Sequence, residues 1–289
     1  MIQKGDWKTK KTKSRGGQKK KGIKLSWLEI AALSIVIFCL GFLLGRSLSN
    51  LGEYKGLGEA KEIQMNDYDN DAFKLNKSKR MVYKGEEYEQ TTIVDVSYAQ
   101  KTIDWDKVAA DGIDMAMIRL GFRGYSSGTL KLDEYYESNI SGAKEAGLKY
   151  GVYFFSQAVS VEEAQEEADF VLENIKGKKV KGPVAFDMEP IQGADRITHL
   201  TVTEKTEIAD AFLKRIEKKG YDAILYGNPS WFKKHVDLSY LTDYPVWLAH
   251  YTTTPSWPYQ YVMWQYTDKG KVKGISGNVD LSIGLVDGR

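Results

Sequence analysis

The residues best suited to carry chemistry lie in Pro183-Val-Ala-Phe-Asp187-Met-Glu189-Pro190, where two acids close an apolar run. Side chains at i and i+2 of a strand share a face, so both carboxyls point the same way, and Pro190 ends the strand. Two adjacent carboxyls do not both ionise freely. One is held protonated at neutral pH while the other stays charged, which puts an acid and a base in one place, the equipment for hydrolysing a glycosidic bond. Taken alone, an Asp-x-Glu at a strand end reads as solvated charge. Asp95 and Asp280 strengthen the case, because they follow Ile-Val and Asn-Val in the first and last apolar runs, which become neighbours once a sheet closes into a barrel.

These acids need a frame. From Thr91 onward, strand-like runs occur at Thr91–Val96, Ile113–Leu120, Lys149–Ser156, Pro183–Glu189, Ala223–Gly227, Pro245–Tyr251, Tyr261–Thr267 and Val279–Ile283. Amphipathic segments Asp104–Ala110, Asp133–Ala146, Val161–Lys176 and Thr203–Lys219 lie between the earlier ones, the last three each closed by a glycine, and the fourth opens with a capped Thr-Val-Thr-Glu start. Alternating strands and helices predict parallel pairing with both faces covered. Eight strands in residues 91–289 predict an α/β fold, a distorted eight-stranded (β/α) barrel with few helices in its last third. An open doubly wound sheet is the alternative, but Asp95-Val-Ser-Tyr-Ala-Gln100 offers no glycine-rich phosphate turn.

In a parallel barrel the reactive groups gather at the C-terminal strand ends, and nearly every run here finishes on a polar residue. Aromatics at these ends offer faces for sugar rings to stack on. Tyr98, Tyr153, Tyr226, Tyr251 and Trp264, with Gln265, are the candidate substrate-binding residues, while Phe155 and Trp247 read as core.

The charge is unevenly spread. Residues 1–50 hold eleven Lys/Arg against two Asp/Glu, which leaves 30 basic against 37 acidic residues in the rest of a chain whose net charge is +2. An acidic folded body argues against nucleic acid as a partner. Residues 1–24 form a basic segment whose composition does not support a core. The following run, 25–45, carries only Glu29 as a charge and at about 1.5 Å per residue reaches about 30 Å, the thickness of a hydrocarbon core. No Ala-x-Ala stands at its exit, where the run ends Gly45-Arg46-Ser47-Leu48, so it reads as a retained transmembrane helix through the lipid bilayer, with the basic head cytoplasmic and the rest outside. Residues 46–90 are polar without strong period and read as a stalk, including the acidic cluster at 66–71. The single cysteine, Cys39, falls in the span, so the exported part carries neither disulfide nor thiol nucleophile. His199, His235 and His250 lack ligand spacing, and no metal or cofactor is expected.

Several ordered motifs resemble glycoside hydrolase family 25, the N-acetylmuramidases of the Chalaropsis lysozyme type. They are Ile93-Val-Asp-Val-Ser-Tyr-Ala-Gln100 with Ile103-Asp-Trp105, Ile118-Arg-Leu-Gly121, the Tyr-x6-Ala-Lys-x-Ala-Gly run from Tyr136 to Gly147, and Gly151-Val-Tyr-Phe-Phe-Ser156. Phe186-Asp-Met-Glu189, Trp264-Gln-Tyr-Thr267 and Gly274-Ile-Ser-Gly-Asn-Val-Asp280 complete the set. The resemblance covers about 91–285 and implies a catalytic barrel over 91–289 that cleaves the β-1,4 bond between N-acetylmuramic acid and N-acetylglucosamine in peptidoglycan glycan strands. It implies Glu189 as the acid, Asp187 as its partner, and Asp95 and Asp280 as flanking acids. Asp187 or Asp280 then either supports attack by the substrate's 2-acetamido group or activates water. Pro190 and the polar excursion Ile191–Thr201 depart from the family pattern and bear on substrate preference. A monomeric domain on a single-pass bacterial membrane anchor is the expected arrangement. A non-catalytic wall-binding module on the same barrel predicts loss of an acid, and all four are present; a metal-dependent esterase needs a His pair that the chain lacks.

Overall fold

The computed structural model describes residues 56–194 and 196–287; the basic head, the apolar run 25–45 and residues 46–55 lie outside them. Strands β1 (Phe73–Leu75) and β2 (Met81–Tyr83) form a small hairpin ahead of β3 (Tyr88–Val96). Then follow helix α1 (Trp105–Ala110), β4 (Met115–Arg123), β5 (Leu130–Leu132), α2 (Tyr136–Glu145), β6 (Lys149–Ser156), α3 (Val161–Ile175) and β7 (Val184–Met188). The remainder is α4 (Val202–Glu217), β8 (Ala223–Gly227), α5 (Pro229–Lys234), β9 (Val246–Ala249), β10 (Met263–Gly270) and β11 (Val279–Asp287).

Eight of these strands close a barrel in the order β3, β4, β6, β7, β8, β9, β10, β11, and β5 extends β4 as an antiparallel flap. Strands β3 to β10 pair in parallel around this ring, as the alternation of elements predicts. The last strand departs from the expected all-parallel pairing: β11 runs antiparallel to both β10 and β3. A parallel crossover needs about a dozen residues or more, and the link from Gly270 to Val279 is too short for one. The reversal brings the beginning of β11, where Asp280 lies, to the rim at which the parallel strands end. Asp280 therefore pairs directly with Asp95 on the rim where the parallel strands terminate.

Alternation along each strand sorts side chains into two layers. Ile93, Met115, Met117, Ala185, Ile224 and Trp247 fill the barrel interior, while Val94, Ile118, Val152, Phe154, Phe186 and Leu225 face the helices. Thr201 starts α4 with a capping box, its Oγ1 accepting from Glu204 N at 3.2 Å while its own N–H donates to Glu204 Oε2 at 2.7 Å. The pairing of β4 with β6 shifts register between Arg119 and Gly121, after which β5 lies against Gly121. A Cβ on that glycine would sit 2.3 Å from Lys131 O, so only Gly admits the flap.

The stretch read from sequence as a stalk is, in its described part, built into this body. Tyr68, Phe73, Met81 and Tyr83 are buried in the main core, and Asn66 Nδ2 donates to Trp257 O at 2.8 Å. The aromatics here are anchored one at a time by a short turn and a three-residue hairpin, elements too brief to produce a readable period.

Trp264 explains part of that attachment and corrects a site expectation. It points out of the barrel, is fully buried, meets Phe73 edge-on at 5.1 Å and donates from Nε1 to His250 O at 2.8 Å. Its neighbour Gln265 takes the inward position. Replacing Trp264 by Phe leaves a carbonyl unpaired and is expected to cost about 1–3 kcal/mol of stability in urea denaturation while leaving KM unchanged.

Candidate active site

The inward positions at the ends of the parallel strands enclose a cavity of about 150 Å³. Asp95 comes from β3, Arg119 from β4, Tyr153 and Phe155 from β6, Asp187 from β7 and Glu189 from just past its end, Tyr226 from β8, Trp247 from β9, Gln265 from β10 and Asp280 from β11. All four predicted acids thus meet in one place, together with Tyr153, Tyr226 and Gln265. Tyr251 stands at its rim, 53% exposed, with its hydroxyl donating to Gln265 Oε1 at 2.9 Å. Tyr98 is 51% exposed and lies under the Arg119 guanidinium, 4.7 Å from its centroid. Trp264 alone among the predicted residues faces away.

Asp187 and Glu189 share the inward face at the end of β7 while Met188 between them packs into the outer core. Burial drives Asp187 far above the usual carboxylate range, the charges of Glu189 and Asp95 push it further, and Arg119 pulls it only part of the way back. Glu189 is raised by burial too, but a hydrogen bond from Asp187 favours its ionised form. No donor among the described residues reaches the buried Asp187 Oδ1, which suits a neutral carboxyl. Asp187 is thus the member of the pair pushed more strongly toward its neutral form, and its hydrogen bond favours charge on Glu189.

The opposite wall is organised by one amide. Gln265, 1% exposed, donates from Nε2 to Asp95 Oδ2 at 2.9 Å and accepts from Tyr226 Oη at 3.0 Å as well as from Tyr251. A residue expected to touch substrate thus spends its hydrogen bonds holding Asp95 and two tyrosines. Burial lifts Asp95 well above its ordinary value, with Asp280 adding repulsion and Gln265 opposing. Asp280 is pushed to about 6 by burial, then by Asp268 and Glu189.

A carboxyl whose folded pKa is raised favours the folded state when protonated, so its ionisation subtracts stability as pH rises from the unfolded value near 4 through the folded one. For Asp280 that window runs from about 4 to about 6. The variant Asp280→Asn is accordingly expected to raise Tm at pH 7 by a few degrees and to lose that advantage near pH 4, read by thermal melts at both pH values.

Several residues that shape the site are absent from the sequence-based set. Phe155 and Trp247, read there as core, line the cavity; Phe155 shares its inward parity with Tyr153 on β6, and Trp247 packs with the barrel-interior residues. Trp247 is steadied by a bond from its Nε1 to Ser282 Oγ at 3.1 Å. Gln157 Nε2 donates to Glu189 O at 2.9 Å, and Arg196 Nε donates to Gln157 O at 2.7 Å, so the backbone that carries Glu189 is held from behind. Arg119 is the cation of the cavity, and its signal was its place at a strand end inside Ile118-Arg-Leu-Gly121.

The family model for glycosyl hydrolases family 25 matches residues 94–275. The autolytic lysozyme of Clostridium acetobutylicum is 28% identical over 189 residues, 65% of this chain and 54% of that protein, so the chain spans about half the length of this relative. The protein YegX of Escherichia coli O6:H1 is 30% identical over 213 residues, 68% of this chain and 73% of its own. Among solved structures, the modular autolysin LytC of Streptococcus pneumoniae in complex with synthetic peptidoglycan ligand aligns with a TM-score of 0.62 and 24% identity over 78% of this chain and 52% of that one, a likeness of fold. The family model spans more than half of the sequence and falls on the barrel that gathers the four acids: the chain belongs to glycosyl hydrolase family 25.

Proposed function

We propose that this protein is a peptidoglycan hydrolase of the lysozyme type, an N-acetylmuramidase that cleaves the β-1,4 bond between N-acetylmuramic acid and N-acetylglucosamine. The observation that carries this reading is the convergence of Asp95, Asp187, Glu189 and Asp280 on one cavity at the barrel rim, where burial raises both Asp187 and Glu189. Family membership and the two lysozyme and autolysin relatives support the substrate class.

In this mechanism Glu189, the less buried member of the pair, passes a proton to the glycosidic oxygen as the bond to the anomeric carbon breaks, and Asp187 is left able to take up charge. Asp187 or Asp280 then steadies the positive anomeric centre, either by holding the 2-acetamido group as it attacks or by drawing a proton from water. Arg119 offsets the negative charge that accumulates around Asp187. Tyr226 and Tyr251 hold Gln265, which keeps Asp95 in its inward rotamer.

The proposed setting is the outer face of a bacterial membrane. A basic head at 1–24 kept inside and a span at 25–45 would tether a monomeric barrel beneath the wall and raise its effective concentration there. Incubating the purified full chain with peptidoglycan tests the activity: new reducing ends are expected, and binding without their release would instead indicate a wall-binding module. Expressing the chain with residues 1–46 deleted tests the tether: hydrolysis in solution is expected to persist while membrane fractionation is lost, and retention in the membrane would contradict it.

A further inference from the structure

A second hollow of about 510 Å³ adjoins the catalytic cavity, and Arg119 and Phe155 line both. The hollow is walled by Tyr98, Tyr125, Leu132 and Ile191, the first three of which are among the most exposed large apolar side chains of the described surface at 51%, 54% and 41%. Exposed apolar groups concentrated on one concavity beside a reaction centre mark a ligand surface.

Arg119 stands at the junction. Its Nε and Nη2 both bond Asp133 Oδ2, at 2.8 and 2.7 Å, and Asp133 in turn accepts from Tyr98 N at 3.0 Å and Tyr135 N at 2.9 Å. The guanidinium lies over the Tyr98 and Phe122 rings, 4.7 and 5.4 Å from their centroids. Asp133 is fully buried and the arginine side chain keeps 16% of its surface open. The fork is thus fixed through Nε and Nη2 and flanked by two rings, and its Nη1 makes no hydrogen bond to the described residues. Such a preorganised edge suits a carbonyl or carboxylate oxygen of a ligand.

On a glycan strand of the proposed substrate, the group that fits is the 3-O-lactyl substituent of muramic acid. Both sugars carry an acetamido carbonyl, but only muramic acid adds this second acyl oxygen, with a methyl group beside it and the peptide stem beyond. We propose that Arg119 reads the lactyl acyl oxygen of the sugar whose bond is cleaved, and that the hollow beyond it receives the lactyl methyl and the start of the stem. Arg119 is then a specificity-determining residue that separates muramic acid from glucosamine. This inference rests on the muramidase reading.

The test pairs a change in protein with a change in substrate. Glycan strands stripped of their stems carry free lactyl carboxylates, and a second batch has those carboxylates reduced to alcohols with the rings and acetamido groups intact. The wild-type full chain is expected to lose about ten- to a hundredfold in kcat/KM on the reduced strands, the worth of one charge-assisted hydrogen bond. Arg119→Met is expected to work more slowly on the carboxylate strands and to show no difference between the two batches, and Arg119→Lys to recover part of the difference. Equal wild-type rates on both batches would overturn the proposal without any variant, as would an Arg119→Met enzyme that retains the full wild-type ratio. Absence of wild-type hydrolysis on both batches would instead strike the muramidase reading itself.

Discussion

Replacing Glu189 by Gln is expected to lower kcat on peptidoglycan by about 100- to 10,000-fold, the usual worth of a positioned proton donor, while KM changes little. The substitution keeps size and hydrogen-bonding shape but removes the carboxyl that delivers the proton. It also removes one charge from a buried acidic cluster, so the variant should melt no lower than the parent at pH 7. Rates from reducing-end release, together with Tm, separate the two effects. A variant retaining wild-type turnover would remove Glu189 from the role assigned to it.

The largest effect on stability is expected behind the site. Arg123 on β4 is 4% exposed and donates from Nε to Glu167 Oε1 at 2.8 Å, from Nη1 to Gly128 O at 2.7 Å and from Nη2 to Glu163 O at 2.8 Å. It ties the barrel wall to α3 and to the turn that leads into the β5 flap. Glu167 is fully buried on α3, and burial lifts its carboxyl to about 7 even with the arginine beside it. Breaking a buried pair from one side costs about 3–5 kcal/mol, because the other charge is left in apolar surroundings. Arg123→Ala is expected to lose that much at pH 7.5.

The pH dependence of that loss follows from the partner. Without Arg123 the folded pKa of Glu167 rises further above its unfolded value, so the variant gains stability as pH falls toward 5 and the carboxyl becomes neutral. Urea denaturation at pH 5 and 7.5 should therefore show a smaller deficit at the lower pH. Adding Glu167→Gln should recover part of the loss at pH 7.5. A deficit independent of pH would mean that the arginine contributes by packing alone.

Much of this arrangement was legible before any coordinates, and the reasons are local. Asp187 and Glu189 are bound to the same face by strand geometry, whatever surrounds them. Strands Lys149–Ser156 and Ala223–Gly227 carry their own boundaries in glycines and polar ends, and both were read to the residue. Proximity of Asp95 to Asp280 followed from closure, although the antiparallel direction of β11 did not, because direction depends on whether eight loop residues can cross a sheet rather than on the strand's own pattern.

The failures share a cause. Trp264 and Gln265 are adjacent, and one residue of register decides which faces the cavity; end-of-strand position alone did not resolve them. Parity counted from Asp95, Tyr153 or Asp187 finds the inward face of a single strand, and for β6 it would have moved Phe155 into the site. Residues 56–90 are joined to the body through isolated aromatics and backbone bonds such as Lys61 N to Ser239 O at 2.8 Å, contacts between segments far apart in sequence that leave no periodic trace. Arg119 is visible in sequence as a polar strand end inside Ile118-Arg-Leu-Gly121, but its role depends on Asp133 across a bulge and on the two rings beside it.

The central claim, that the four-acid cavity is the centre of a muramidase, is tested most directly by the chemistry of the ends it makes. Peptidoglycan digested with the wild-type full chain is reduced with borohydride, and the soluble fragments are resolved by mass spectrometry. The account predicts fragments that end in reduced N-acetylmuramic acid, formed by wild-type protein and not by Glu189→Gln. Fragments ending in reduced N-acetylglucosamine, or the same products from both proteins, would contradict it.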